Sequence, residues 1–74
     1  MAHRHRMNHH ERLVETKKTA LERIARLERL AVGASPEVLS IIDKMMAVVR
    51  SNIAIAELEY SCHQIIANAR RRAA

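Results

Sequence analysis

Histidine, cysteine and glutamate side chains are the residues of this 74-residue chain that could bind a metal or perform catalysis. Four of the five histidines, His3, His5, His9 and His10, lie within the first ten residues. Imidazole is a common metal ligand. A structural zinc site, however, uses four ligands held by a fold, and cysteine is usually among them. Because no cysteine lies near this cluster, we expect neither a metal site nor a cofactor.

The other reactive side chains are spaced so that they diverge. Cys62 and His63 are adjacent, so on a helix they point in different directions, whereas a thiolate and its imidazole base must touch. Glu57 and Glu59 are two residues apart and diverge in the same way. The chain contains neither a Ser/His/Asp arrangement nor a glycine-rich phosphate loop. We therefore expect no catalytic residue, and we interpret Cys62 as a small buried residue on an apolar helix face.

The composition predicts an all-α protein. Apolar residues make up 49% of the chain, Phe and Trp are absent, and there is one glycine and one proline. So few turn-forming residues exclude a β-sandwich or barrel. The length leaves no room for an α/β cofactor domain, and a single cysteine excludes a disulfide scaffold. No uncharged apolar run reaches a membrane-spanning length, and residues 1–10 do not resemble a secretory signal. We expect a cytoplasmic protein.

The net charge of +5 lies at the ends of the chain. It equals the charge of five arginines, Arg4 and Arg6 near the start and Arg70, Arg71 and Arg72 near the end. The region between residues 11 and 69 carries equal numbers of positive and negative side chains. Because nucleic-acid-binding domains usually concentrate positive charge on a folded face, this distribution disfavours nucleic acid as a partner.

The element that must position all these residues is a helical hairpin. Asn8 and Glu11 have the spacing of a capping box, so a first helix is predicted from about residue 9. Gly33 follows its last apolar turn and is a typical helix terminator. Ser35 and Pro36 then supply the cap and first residue of a second helix. We predict an all-α, antiparallel two-helix hairpin with helices at about 9–32 and 36–69, a flexible tail at 1–8 and a basic tail at 70–74.

The second helix carries two apolar stripes. Both are plausible seams; the one with the 3-4 spacing of a helix-pairing seam is predicted to meet the first helix. The predicted hairpin core is therefore Leu21, Ile24, Leu27, Leu39, Ile42, Met46, Val49 and Ile53. The second stripe is too far round the helix for the same neighbour to cover, and such patches usually mark an interface. The predicted partner-binding residues are Ile41, Met45, Val48, Ile55, Cys62 and Ile66.

The short chain supports the expectation of a partner. A single core in a chain of this length rarely supplies more than about 3–5 kcal/mol of stability. This core has no large aromatic residue, disulfide or metal to strengthen it. We expect the hairpin to fold against another surface, either a second copy or a different protein.

The turn and second helix resemble a known family. Residues 30–37, Leu-Ala-Val-Gly-Ala-Ser-Pro-Glu, and residues 51–56, Ser-Asn-Ile-Ala-Ile-Ala, resemble the YscE/PscE/SsaE family of type III secretion co-chaperones. The resemblance extends in shape over residues 13–66. It implies a non-catalytic hairpin that pairs with a TPR-like (tetratricopeptide-like) chaperone. Together the two would keep a needle or translocator subunit unpolymerised in the bacterial cytoplasm.

Three other functions share the same predicted fold. The first is a needle-like filament subunit, although needle subunits usually have two prolines in the turn and this chain has only Pro36. The second is a small regulatory or nucleic-acid-binding dimer that uses the terminal arginines, with salt-sensitive affinity. The third is a self-associating four-helix bundle. The hairpin alone does not distinguish these functions.

Overall fold

The computed structural model describes residues 7–73 of the chain, which form two helices. Helix α1 is His9–Ala31 and helix α2 is Pro36–Ala73, and they pack against each other as an antiparallel hairpin. The predicted all-α, two-helix fold is confirmed. His3 and His5, with Arg4 and Arg6, lie outside the described residues.

The side chain of Asn8 caps the start of α1. The Asn8 side-chain oxygen Oδ1 accepts a hydrogen bond of 2.8 Å from the backbone N–H of Glu11. The Asn8 Nδ2 group donates to Glu11 Oε1 at 3.0 Å. Two polar groups at the helix start are thereby paired, which is why the helix begins directly after Asn8.

Gly33 ends α1 by adopting a left-handed backbone conformation, with φ of 72°. The chain leaves the helix at Val32, whose N–H donates to the Arg29 carbonyl at 3.3 Å. The Ala34 N–H donates to the Ala31 carbonyl at 3.1 Å. Only glycine adopts this conformation routinely, so the reversal occurs where the sequence predicts it.

Helix α2 begins with the predicted Ser–Pro cap. Ser35 Oγ accepts from the Val38 N–H at 3.3 Å, and the Ser35 carbonyl accepts from the Leu39 N–H at 2.9 Å. Pro36 is the first helical residue, a position where its missing N–H costs nothing. With no internal breaker, the helix then continues to Ala73.

The core is a narrow seam between the two helices. Within residues 7–73, four side chains are buried: Ala20 and Leu27 from α1, and Ile42 and Val49 from α2. Partly buried apolar side chains from both helices pack against these four, namely Ile24, Ala31, Met46 and Ile53. The residues contributed by α2 follow the 3-4 spacing that was predicted to face α1.

Leu21 and Leu39 lie outside the core in which they were predicted. Leu21 is 61% exposed, because the seam is centred on Ala20 and successive residues are about 100° apart round a helix. Leu39 is 37% exposed and lies in the first turn of α2, near the residue where α1 ends. One neighbouring helix covers only part of that turn.

The predicted basic tail is helical over residues 70–73. Arg70, Arg71 and Arg72 form the last turn of α2 and are exposed. Cationic side chains at the C-terminal end of a helix interact favourably with its dipole. His9 stacks on His63, so residues 64–73 of α2 extend about 15 Å beyond the start of α1.

Candidate partner-binding surface

The six predicted partner-binding residues all lie exposed on α2. Each of them is outside the seam with α1, and Val48 is 60% exposed. The interpretation of Cys62 as a buried residue is wrong, because α1 does not cover this face of α2 and the thiol is exposed. Met45 and Val48 directly precede the seam residues Met46 and Val49, so they lie about 100° round the helix from the core. The stripe comprises Ile41, Met45, Val48, Ile55, Cys62 and Ile66.

Two residues of this stripe, Met45 and Val48, line an open groove of about 610 Å³, which we call the turn groove. Its base is formed by the buried side chains of Leu27 and Val49. Its exposed apolar walls are Leu30 of α1, and Met45 and Val48 of α2. Both helices therefore contribute apolar surface to one concave region, as a docking groove for a helix requires.

Two arginines of α1 give the turn groove a positive rim. Arg23 and Arg26 line it together with the apolar residues, and both are exposed. No carboxylate is among the residues that line the turn groove. Arginine can lay its aliphatic stem along apolar surface while its guanidinium stays in water. The rim therefore combines apolar contact with positive charge.

A second groove of about 270 Å³ continues the turn groove along the hairpin, and we call it the polar groove because most of the residues that line it are polar. The two grooves share Arg23 and Val49. The polar part is lined by hydroxyl, amide and carboxylate side chains, Thr16, Thr19, Asn52 and Glu15. A ligand lying along both grooves, which together we call the valley, would meet apolar surface near the turn and hydrogen-bonding groups farther from it.

The open end of the hairpin, opposite the turn, carries a cluster of aromatic rings. The imidazoles of His9 and His63 stack with centroids 3.7 Å apart and planes 10° apart. The ring of His10 meets Tyr60 edge-on at 5.9 Å. Sequence reasoning missed this cluster because it compared His63 with its chain neighbour Cys62 and not with the helix opposite. Within residues 7–73, no three or more His, Cys, Asp or Glu residues are grouped to hold a metal.

The flank opposite the turn groove carries both apolar and charged side chains. A shallow surface there includes Val14, Leu21 and Ala25, but Lys17, Lys18 and Glu22 lie among them. Lys17 also pairs across the helices with Glu57, with Nζ and Oε1 3.8 Å apart. The apolar surface to which both helices contribute is thus on the flank with the turn groove, where Arg23 and Arg26 form its rim. In the described part of the chain, neither helix is long and apolar enough to cross a membrane.

Comparison with known proteins finds no match to a protein-family model, a curated protein or a solved structure. The function is therefore inferred from the surface of the hairpin and from the sequence resemblance at the turn and in α2.

Proposed function

We propose that this protein is a non-catalytic type III secretion co-chaperone of the bacterial cytoplasm. Its α2 stripe pairs with a TPR-like chaperone, and the pair keeps a needle or translocator subunit unpolymerised. The observation that carries the proposal is the exposed apolar stripe from Ile41 to Ile66, which α1 leaves uncovered.

The stripe is long enough to be an interface for a helical partner. From Ile41 to Ile66 the axis of α2 extends for about 37 Å at 1.5 Å per residue. Exposed apolar side chains that share one face over such a distance are typical of protein-binding surfaces. A helical partner lying along the stripe would remove these side chains from water and would be stabilised by their burial.

Because the core of the hairpin is small, its stability is expected to depend on binding that partner. Only four side chains are buried in residues 7–73. Binding to the folded hairpin but not to the unfolded chain would shift the folding equilibrium toward the hairpin. The resemblance of residues 30–37 and 51–56 to the YscE/PscE/SsaE family supports the more specific choice of a secretion co-chaperone.

The test is reconstitution of the complex. The tagged full-length chain is purified from its source bacterium, and co-purifying proteins are identified by mass spectrometry. A TPR-like candidate and its cargo are then produced separately and mixed with the chain. We expect a complex of fixed stoichiometry by light scattering, a gain in helical circular dichroism and suppression of cargo polymerisation. A chain that alone forms a stable dimer or tetramer and gains nothing from the candidate would contradict the proposal.

Val48→Asp supplies the matched variant for this experiment. It places a charge in the centre of the exposed stripe, so complex formation should be lost while the helicity of the free chain is retained. Ala54→Asp is the control, because Ala54 is exposed on α2 and belongs neither to the seam nor to the stripe. Equal loss of binding in both variants would show that the stripe is not the specific binding surface.

A further inference from the structure

We propose that the turn groove binds an amphipathic helix whose apolar stripe is flanked by carboxylates, and that Arg23 and Arg26 select this partner. The inference rests on the proposed function and deepens it, because it names the chemistry of the partner segment at the turn end of the α2 stripe.

The apolar part of the recognition comes from both helices. Leu30 is 65% exposed on α1, while Met45 and Val48 face it from α2 across the buried base of Leu27 and Val49. Leucine or isoleucine side chains that recur at every third or fourth position of a helix would enter such a groove. The unbranched Met45 side chain can adjust its rotamer to their shape.

The charged part of the recognition comes from α1 alone. Arg23 and Arg26 are three residues apart and therefore lie on neighbouring turns of the same helix face. Both line the turn groove, whose own lining includes no carboxylate, and the carboxylate of Glu15 lies farther along the same flank, where it lines the adjoining groove together with Arg23. Acidic side chains beside the apolar stripe of a bound helix would meet these guanidinium groups, and basic ones would be repelled.

The same charges argue against a second copy of this chain as the occupant. In a two-fold symmetric dimer the same patch of each subunit contacts the other. Two turn grooves placed face to face would bring the Arg23 and Arg26 pairs of both subunits to a shared seam that contains no carboxylate. Carboxylates of an acidic helix from another protein would pair with Arg23 and Arg26, whereas the same two arginines of a second copy would repel them.

The valley also indicates the length of the partner segment. The turn groove and the polar groove together are lined by α1 between Glu15 and Leu30, which corresponds to about 22 Å of helix axis. A bound helix of roughly 15 residues would follow that distance. Its apolar part would lie over Leu30 and Met45, and its polar end would reach Thr19 and Asn52.

The test uses synthetic helical peptides with the full-length chain. Three fluorescein-labelled 18-residue peptides are compared by fluorescence anisotropy. One has leucines at every third or fourth position flanked by glutamates, and the second has lysines in place of those glutamates. The third keeps the glutamates but has glutamine for leucine, which reports non-specific attraction to this basic chain. We expect saturable binding of the first peptide only.

Two double variants separate the groove arginines from net charge. Arg23→Glu with Arg26→Glu should weaken binding of the Glu–Leu peptide roughly tenfold and create binding of the Lys–Leu peptide. Arg71→Glu with Arg72→Glu changes the net charge equally on exposed residues outside the groove, and it should have a much smaller effect. Circular dichroism checks that all variants keep their helicity.

Several results would overturn the inference. Equal weakening by both double variants, or equal binding of the Glu–Leu and Lys–Leu peptides, would show that Arg23 and Arg26 select nothing. A dimer of the free chain that Val48→Asp dissociates would show that a second copy occupies the groove. These outcomes differ from failure of the proposed function, which appears as the absence of a reconstituted complex with a TPR-like chaperone.

Discussion

His9 in the first turn of α1 stacks face to face on His63 of α2, with ring centroids 3.7 Å apart. This contact holds the two helices together at the open end, while Gly33 joins them at the other. Next to it, the edge-on contact of His10 with Tyr60 adds a second ring pair between the same helices. The helices are therefore in contact at both ends, although the buried side chains of residues 7–73 lie only in the half of the hairpin nearer the turn.

We expect His63→Ala to loosen the first turns of α1. Aromatic pairs contribute about 0.5–1.5 kcal/mol beyond the area they bury. Alanine has the higher helix propensity, so a loss of stability would come from the missing stack and not from α2 itself. Hydrogen-exchange mass spectrometry should show faster exchange over residues 9–16. Gln64→Ala is the control, and similar exchange in the two variants would show that the stack contributes nothing.

Ile42→Ala should lower the stability of the hairpin, whereas Ile41→Ala should weaken partner binding and leave stability almost unchanged. Ile42 is 4% exposed in the seam, so its truncation should cost about 2–5 kcal/mol and lower the helical signal in circular dichroism. Its neighbour Ile41 is 57% exposed, so truncation there should change stability by no more than about 0.5 kcal/mol. Ile41→Ala should instead weaken partner binding. An equal loss of stability in urea titrations would place both stripes of α2 against α1.

Gly33→Ala should destabilise the hairpin through its backbone. A Cβ atom at this position would meet no atom within 4 Å, so the cost is conformational and not steric. The left-handed conformation costs a side-chain-bearing residue about 1–2 kcal/mol. Gly33→Asn should cost less, because asparagine tolerates this conformation. Thermal unfolding followed at 222 nm would rank the three proteins, and a Gly33→Ala protein as stable as the parent would refute the account of the turn.

Ser35→Ala should weaken the start of α2. It removes the hydroxyl that accepts from the Val38 N–H at 3.3 Å, and loss of such a cap typically costs about 1 kcal/mol. Ser35→Asp should restore stability, since a carboxylate accepts the same bond and suits the positive end of the helix dipole. Urea midpoints of the three proteins test this order. If Ser35→Asp were no better than Ser35→Ala, Pro36 alone would be sufficient to start the helix.

The helices and their turn were predictable from the sequence because the signals are local. Asn8, Gly33 and Ser35 act on backbone groups within four residues of themselves, so their spacing along the chain already specifies the hydrogen bonds they make. The far end of α2 was less predictable. The sequence contains no helix breaker after Pro36, and the predicted boundary near residue 69 differs from the observed end at Ala73.

The sequence offered two stripes of α2 as possible seams, and the one predicted to meet α1 forms the core, whereas the corresponding face of α1 was predicted less well. The 3-4 spacing of Ile42, Met46, Val49 and Ile53 favours that stripe as the seam, but packing against α1 decided between it and the neighbouring stripe. The apolar residues of α1 cover a broader arc, and only packing against α2 decided that Ala20 lies at its centre and Leu21 outside. A broad arc permits several rotations of the helix about its axis, and periodicity does not choose among them.

The sequence by itself therefore determined a two-helix hairpin, its turn and the exposed apolar stripe of α2. Only the tertiary structure decided which residues of α1 stand beside that stripe. It placed Arg23 and Arg26 next to Met45 and Val48, and it placed His9 on His63. The physical reason is that helical periodicity relates residues within one helix. Neighbours across two helices depend on their relative rotation and axial offset, which are set by the fit of the buried side chains in the seam.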